Sequence, residues 1–251
     1  MSNILSGLNI VTQARQRVGV VVAAIGVSAA MCLCGALVAF VFAPGQAIKA
    51  FQISRIPLMD AASVAAAEPG DTVLITGILS DNAPVRHDLP YVAFTDEEWV
   101  VTVTEASDED AASSNGRWEN RESSVPALNL SVDDQTLVLQ ASGQVELSGP
   151  LHEQILNGDG LDTADFRGQP LPAGSHRIRG LNDDDLVTVL GTRAAAGGVL
   201  PEQLFAGDRV AFEESERGEA SGLLFAGLCM MALAPLAMVG GLAAALFGRR
   251  R

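Results

Sequence analysis

The sequence comprises 251 residues with a formal net charge of −14 at pH 7, and 30 acidic side chains outnumber 16 lysines and arginines. Binding to nucleic acid depends on clustered basic side chains that neutralise phosphates, so this balance excludes a nucleic-acid interface on the polar part of the chain. All acidic residues lie between Pro44 and Ala220. The acid excess is expected to solvate that region, and a surface for cations or basic partners is the alternative.

An uncharged apolar run, residues 18–43, follows a short tail of residues 1–17. About 20 apolar residues cross the hydrocarbon core of a bilayer, so the run predicts a first transmembrane helix. A cleaved signal peptide is the alternative, because Arg15 and Arg17 could form its basic flank. Its apolar part would span only about 7–15 residues, and the segment ending at Ala43 offers no small-x-small cleavage site. We therefore expect an uncleaved anchor.

A second uncharged run, residues 221–248, predicts a second transmembrane helix, which ends at the basic residues 249–251. Pro235 lies in the middle of this run. A membrane helix tolerates proline because neighbouring helices and local adjustment satisfy the freed carbonyl group. One kinked span is therefore expected, and not two separate elements.

Basic residues flank each span on the side that faces away from the polar region. Arg15 and Arg17 precede the first span, and the terminal arginines follow the second. Short basic flanks stay in the cytoplasm, so both termini are predicted to be cytoplasmic and the region between them extracytoplasmic. Lys49 and Arg55 weakly oppose this orientation. The expected location is the cell membrane, with two passes of the chain.

The polar region is predicted to begin with a linker, residues 44–57, and to form one extracytoplasmic domain over residues 58–216. Its first element is a short helix from Asp60 to Ala67, for which Asp60 is a suitable N-cap. The turn after this helix, Glu68–Asp71, contains proline and glycine and therefore ends it.

Three turns that each lead into an apolar strand indicate a small β-barrel. They span Gly70–Gly77, Asp185–Gly191 and Gly207–Phe212. Glycine in such strands permits the bends that barrel corners require. The side chains expected to face the inside of the barrel are Val73, Ile75, Val187, Val189 and Val210.

Shorter strands are predicted between these, separated by polar loops. The strands are Tyr91–Thr95, Trp99–Glu105, Thr136–Gln140 and Val145–Leu147, and the long loops are Asp108–Asn115 and Gly158–Gly174. The predicted fold class is two transmembrane α-helices bracketing one mainly β exterior domain. An OB-like barrel is the first choice for this domain, and an irregular β-sandwich is the second.

Side chains that could carry chemistry are scattered through the domain. The histidines, His87, His152 and His176, show no metal-ligand spacing. Asn157–Asp162 partly matches a calcium loop, but leucine stands at the position of one ligand, so a calcium-binding turn is only the alternative there. Asp183–Asp185 predicts a solvated turn, and no serine has an activating partner. We predict no catalytic, cofactor-binding or metal-binding residue, and no cofactor.

Both spans carry small residues four positions apart, a spacing that lets helix backbones approach closely. The pairs are Gly26 and Ala30, Gly35 and Ala39, and Gly241 and Ala245. The cysteines, Cys32, Cys34 and Cys229, also lie in the spans and are interpreted as small apolar residues, so no disulfide is expected in the exterior domain. The expected partners are the lipid bilayer and a protein partner or second copy that contacts the transmembrane helices.

The order of these features resembles the GIDE domain, also called the beside-a-membrane domain, of two-span mitochondrial and plastid RING ubiquitin ligases and their prokaryotic relatives. The resemblance covers roughly Pro57 to Arg251. It rests on Gly70-Asp71-x-Val73-x-Ile75-x-Gly77, on Trp118 followed by Val125–Leu130 and Asp133-Asp134, on Val187–Gly191 and on the closing span. It implies a β domain beside the membrane that binds a partner. In the ligases a zinc-binding RING follows the second span, whereas here no cysteine or histidine follows Cys229, so ligase activity is not expected.

The expected function is therefore a non-catalytic recognition or scaffold module on a two-span membrane protein. One alternative is an accessory to ubiquitin ligation that needs a separate catalytic RING subunit. The other is a subunit of a membrane pore or channel. The predicted spans contain no ionisable residue, which disfavours an ion pathway.

Overall fold

The structure is a computed structural model, and it describes residues 2–104, 113–143 and 145–247. The chain divides into two compact units. A helical unit comprises Met1–Ser54 and Glu213–Arg251, and a β unit comprises Arg55–Phe212. The basic residues 249–251 lie outside the described residues.

The N-terminal helix is continuous and contains one π-helical turn. It consists of α1 (Ser2–Leu37), the π segment Val38–Phe42 and α2 (Ala43–Arg55). The prediction of a linker over residues 44–57 is therefore wrong as far as Arg55. Pro44 and Gly45 favoured a break, but the π turn just before Pro44 accommodates its ring and its missing N–H, and the chain remains helical.

The C-terminal helix, α4, extends over Arg209–Phe247 and continues through Pro235, as expected for one element. It also corrects a strand prediction, because Arg209–Phe212 are helical. The Asp208 carboxylate accepts a hydrogen bond from the Ala211 N–H at 2.8 Å and so caps the helix. Val210 is 64% exposed, and the inward-facing side chain of this segment is Phe212, which is fully buried.

Length and composition allow Val21–Arg55 and Arg209–Gly241 each to cross a membrane. Within the helical unit, the two helices contact each other closely at small residues. A Cβ atom added to Gly227 would lie 2.7 Å from the Gly35 carbonyl oxygen and 2.8 Å from the Ala39 Cβ. The two backbones thus approach closely at Gly35 and Ala39, as their spacing predicts, whereas a Cβ atom added to Gly26 would have no neighbour within 4 Å.

A buried hydroxyl adds a polar contact between these helices. Ser28 Oγ donates a hydrogen bond to the Ala234 carbonyl oxygen at 2.8 Å. A side-chain donor that has a partner in an apolar interface avoids the cost of an unsatisfied polar group. This contact lies beside Pro235, where the helix backbone lacks one N–H donor.

In the β unit, one short helix, α3 (Ala61–Ala66), precedes the strands. The predicted N-cap is confirmed, since the Ser63 N–H donates to Asp60 Oδ1 at 2.7 Å. The hydrogen bonds from Ser63 lower the pKa of the Asp60 carboxyl below its ordinary value. The strands that follow are β1 (Thr72–Leu79), β2 (Tyr91–Thr104), β3 (Ser113–Ser124), β4 (Leu128–Val132), β5 (Gln135–Leu139), β6 (Glu146–Ser148), β7 (His152–Leu156), β8 (Thr163–Phe166), β9 (Gln169–Pro172), β10 (His176–Asn182), β11 (Leu186–Arg193) and β12 (Val199–Ala206).

Five of these strands close into a barrel, which confirms that prediction. Their circular order is β1-β4-β5-β12-β11, and β11 pairs again with β1. The β5–β12 pair is parallel and the others are antiparallel. Four of the five predicted inward-facing side chains are fully buried in the core, namely Val73, Ile75, Val187 and Val189.

A second sheet, in the order β3-β2-β10-β7, packs on this core through Val92 of β2 and Leu181 of β10. The two strands predicted at Tyr91–Thr95 and Trp99–Glu105 are one strand, β2. The loop predicted at Asp108–Asn115 ends earlier, because β3 begins at Ser113, and residues 108–112 lie outside the described residues.

The predicted long loop at Gly158–Gly174 contains a hairpin of β8 and β9. Its turn places Arg167 and Gly168 at positive φ, 55° and 81°. Glycine adopts this conformation without strain, which explains why the turn forms at this point. The hairpin covers an aromatic cluster on the second sheet, so this segment is structured and was wrongly predicted as a loop.

Candidate functional site

A polar recess lies between the second sheet and the segment that leads into β6. We call it the arginine recess, and it has a volume of about 250 Å³. Its lining residues are Thr95, Glu97, Asn120, Ser123, Gly143, Val145, Glu146, Leu147 and Arg179. Most of these side chains carry hydrogen-bonding groups, so the recess could bind a polar group of a partner.

The base of the arginine recess is an ion-pair cluster across β2 and β10. Glu97 Oε2 accepts hydrogen bonds from Arg177 Nε at 2.8 Å and from Arg179 Nε at 3.1 Å. Glu97 Oε1 accepts a third from Arg179 Nη2 at 3.3 Å. One carboxylate thus lies between two guanidinium groups, and a second carboxylate, that of Glu146, also lines the recess.

Burial makes this cluster more rigid than an ordinary surface pair. The side chains of Glu97 and Arg177 are each 15% exposed, whereas Arg179 is 37% exposed. Exposed ion pairs contribute at most about 1 kcal/mol, while charges withdrawn from water require good hydrogen-bond geometry. Arg177 is therefore held in place, and Arg179 is the arginine of this cluster that solvent reaches.

An aromatic cluster supports the arginines from one side. The guanidinium carbon of Arg177 lies 4.7 Å from the ring centroid of Trp118, in a cation–π contact. Trp118 packs against Trp99 at 4.9 Å and against Phe166 of the hairpin at 5.4 Å. The hairpin of β8 and β9 therefore helps to fix the position of Arg177 through Trp118.

The predicted turn at Asp183–Asp185 is confirmed and is held by side-chain hydrogen bonds. Asp183 Oδ1 accepts from the backbone N–H of Asn82 at 3.1 Å and from its side-chain amide at 3.0 Å. Asp185 Oδ2 accepts from the Asn182 N–H at 2.7 Å. These bonds organise a connection between strands and leave no obvious chemical role for the aspartates.

The histidines lie apart from one another, each in its own surroundings. His152 Nε2 is 3.1 Å from Asp185 Oδ1, and His176 Nδ1 is 2.8 Å from Asp96 Oδ1, while His87 is exposed. Within the described ranges, no group of three or more histidine, cysteine or acidic residues is arranged to hold a metal ion.

The segment Asn157–Asp162, where a calcium-binding turn was the alternative, runs beside the end of β9. The Gly160 N–H donates to the Ala173 carbonyl oxygen at 3.2 Å, and the Asp162 carbonyl oxygen accepts from the Ala173 N–H at 2.8 Å. Backbone bonds thus fix this segment, and Leu161 points away from the protein with 99% of its surface exposed.

Sequence reasoning missed the arginine recess. Its partners lie far apart in the chain, and only the antiparallel register that sets Arg177 opposite Glu97 brings them together. One signal was present, because Arg177 and Arg179 alternate with apolar residues in a short run, as expected of a strand with one polar face.

Comparison of the chain with known protein families, curated proteins and solved structures found no match.

Proposed function

We propose that the chain is a two-span integral membrane protein whose acidic β domain acts outside the cytoplasm as a non-catalytic recognition or scaffold module. The observation that carries this proposal is the arginine recess. Its lining combines the Arg179 guanidinium, which is ion-paired with Glu97 and partly open to solvent, with adjacent amide, hydroxyl and carboxylate groups. Convergent polar groups on a rigid sheet are typical of a site that recognises a partner.

The fold of the domain also supports a binding role. Three sequential barrel strands, β1, β4 and β5, are neighbours, and the third pairs in parallel with the last strand, β12. From this order we propose an OB barrel, a scaffold that presents binding surfaces on its strands and loops. We further propose that the domain is of the GIDE type, and that its partner is a protein segment, since the acidity of the domain disfavours nucleic acid.

A labelling experiment tests the membrane topology. In a variant with alanine in place of Cys32, Cys34 and Cys229, one new cysteine is placed at Ser113, which is exposed at the start of β3, or after Arg251. A membrane-impermeant maleimide added to intact cells should label the first site and not the second. Labelling of the C-terminal site alone would reverse the proposed orientation.

A crosslinking experiment tests recognition at the arginine recess. A photoreactive amino acid at Asn120, an exposed lining residue, should give a defined adduct in cells, because the partner would lie within contact distance. The matched control is the same amino acid at Gln135, an exposed amide outside the recess, and it should not give that adduct. Arg179→Gln should remove the adduct. Equal adducts from both positions, or no effect of Arg179→Gln, would argue against the recess as the recognition site.

A further inference from the structure

A second concave surface lies in the helical unit, between the N-terminal helix and α4. We call it the helix groove, and its volume is about 570 Å³. Its lining residues are Ala39, Ala43, Pro44, Ala47, Ala50, Phe51 and Ser54 from one helix and Arg217, Ala220, Ser221 and Leu224 from the other. This volume falls within the roughly 300–1,000 Å³ that is typical of small-molecule sites.

The helix groove begins where the N-terminal helix changes its winding. The π segment Val38–Phe42 ends just before Pro44, and both contribute to the lining. A π turn shifts the following side chains around the helix axis, and such turns occur frequently at functional sites. The residues after it are small alanines, so their side chains leave space between the helices.

Contacts between the helices fix the groove near both ends. At the inner end, Gly35 and Gly227 bring the two backbones together one turn before Ala39. Toward the outer end, Lys49 Nζ lies 3.3 Å from Glu216 Oε2, and the Glu216 side chain is almost fully buried. The helices are therefore held together near both ends of the groove, which makes it a preformed recess.

Polarity changes along the helix groove. Ala39, Ala43 and Leu224 lie in the predicted spans 18–43 and 221–248 and line its inner part. Ser54 and Arg217 lie beyond these spans and line its outer part. The Ser54 hydroxyl already donates to the Phe51 carbonyl oxygen at 2.8 Å, so the strongest polar group offered by the lining is the Arg217 guanidinium. An apolar inner part that ends at a guanidinium group fits an amphiphile whose acyl chain ends at a phosphate. Glu213 and Glu214 lie on the same face of α4 as Arg217, so this end of the groove carries no net positive charge.

The surroundings of the groove indicate where such an amphiphile would come from. Large apolar side chains beside it are exposed, including Phe40, Val41, Phe42 and Phe225. In a two-span protein these side chains require hydrocarbon around them, and the inner part of the groove is continuous with that surface. Arg217 Nη2 binds Glu213 Oε2 at 3.1 Å, but a guanidinium has five N–H donors and this side chain is 61% exposed.

We propose that the helix groove binds one acyl chain of a bilayer phospholipid, with the lipid phosphate at Arg217. This inference rests on the proposed insertion of the two helices in a membrane. Lipid would then occupy the helix groove, and the proposed protein partner would bind at the arginine recess.

The experiment uses the full chain in lipid nanodiscs of phosphatidylcholine and phosphatidylglycerol that contain a trace of phosphatidylglycerol with a spin-labelled acyl chain. Wild-type protein should give an immobilised component in the electron paramagnetic resonance spectrum. Ala47→Trp fills the groove from an exposed position and should reduce this component several-fold. The matched control is Ile48→Trp, which places the same side chain on a neighbouring residue outside the lining and should not reduce it. Arg217→Gln should also reduce the immobilised component, because the lipid phosphate loses its guanidinium partner.

Other outcomes would overturn the inference. An equal immobilised component in Ala47→Trp and Ile48→Trp would mean that the label reports only lipid around the helices. If wild-type protein is a dimer and Ala47→Trp is a monomer that still immobilises lipid, the groove would instead bind a second copy of the chain. Near-ultraviolet circular dichroism checks that each variant is folded, and Ala47→Leu repeats the test with a smaller side chain. Maleimide labelling at Ser113 tests insertion separately, so the lipid inference can fail while the proposed topology stands.

Discussion

Val189→Asp should abolish the folded β domain. Val189 is fully buried in β11, opposite Ile75 of β1 and Leu204 of β12, so an aspartate there would lie in the barrel core. Burying an unpaired carboxylate costs several kcal/mol, and the total free energy of unfolding of a domain is about 5–15 kcal/mol. The full chain in detergent should lose its near-ultraviolet circular dichroism and become sensitive to protease between residues 55 and 212.

The matched control is Leu186→Asp, which introduces the same side chain in the same strand. Leu186 is 44% exposed, so its aspartate can remain hydrated and the domain should stay folded. Acidification should partly rescue Val189→Asp, because burial raises the pKa of a carboxyl in the folded state and the cost of burial falls once the group is neutral. A protease pattern for Val189→Asp that matches Leu186→Asp would mean that β11 does not line a core.

The barrel was predictable where strands carry regular apolar patterns. In β1 and β11, valine and isoleucine follow polar turns, and both strands lie in the core as expected. β12 was missed because Pro201 interrupts its pattern. In the structure Pro201 lies opposite Gly191 at a register shift, which is a position where a strand tolerates a residue without an N–H donor.

The error at Val210 has a different cause. Gly207–Phe212 has a turn followed by three consecutive apolar residues, which matches a strand as well as the first turn of a helix. Short runs of this kind do not distinguish the two periods. Asp208 was the decisive signal, because an aspartate before a helical run is an N-cap, and the charged residues that follow continue as α4.

The arginine recess could not be predicted from local patterns. Glu97 and Arg177 are on strands whose pairing depends on the whole sheet, and Trp118 takes its position under Arg177 only once the hairpin of β8 and β9 covers it. The alternation of polar and apolar residues in each strand is visible in the sequence. The pairing register that brings the polar faces together depends on burial of the apolar faces in the folded domain.

The close approach of β4 to Gly77 of β1 can be tested directly. Gly77 is paired with Val187 of β11 and directly precedes the residues of β1 that pair with β4. A Cβ atom there would lie 2.5 Å from the Ser131 carbonyl oxygen and 2.8 Å from Val132 Cγ2, and the first of these is backbone that moves only with its strand. We expect Gly77→Ala to lower the free energy of unfolding of the β domain by about 1–3 kcal/mol, the usual cost of overpacking.

The control for this variant should not lower the stability of the domain. Gly143 has no neighbour within 4 Å of an added Cβ atom, so Gly143→Ala mainly restricts the unfolded chain and should leave the domain equally stable or slightly more stable. For a domain of about 150–250 residues, 1 kcal/mol corresponds to a shift of about 2–4 °C in Tm. Thermal unfolding followed by near-ultraviolet circular dichroism should therefore show a lower Tm for Gly77→Ala than for wild type. Gly143→Ala should show no decrease in Tm. If both variants raised the Tm, β1 and β4 would not approach each other closely at Gly77, and the barrel would have to close by another pairing.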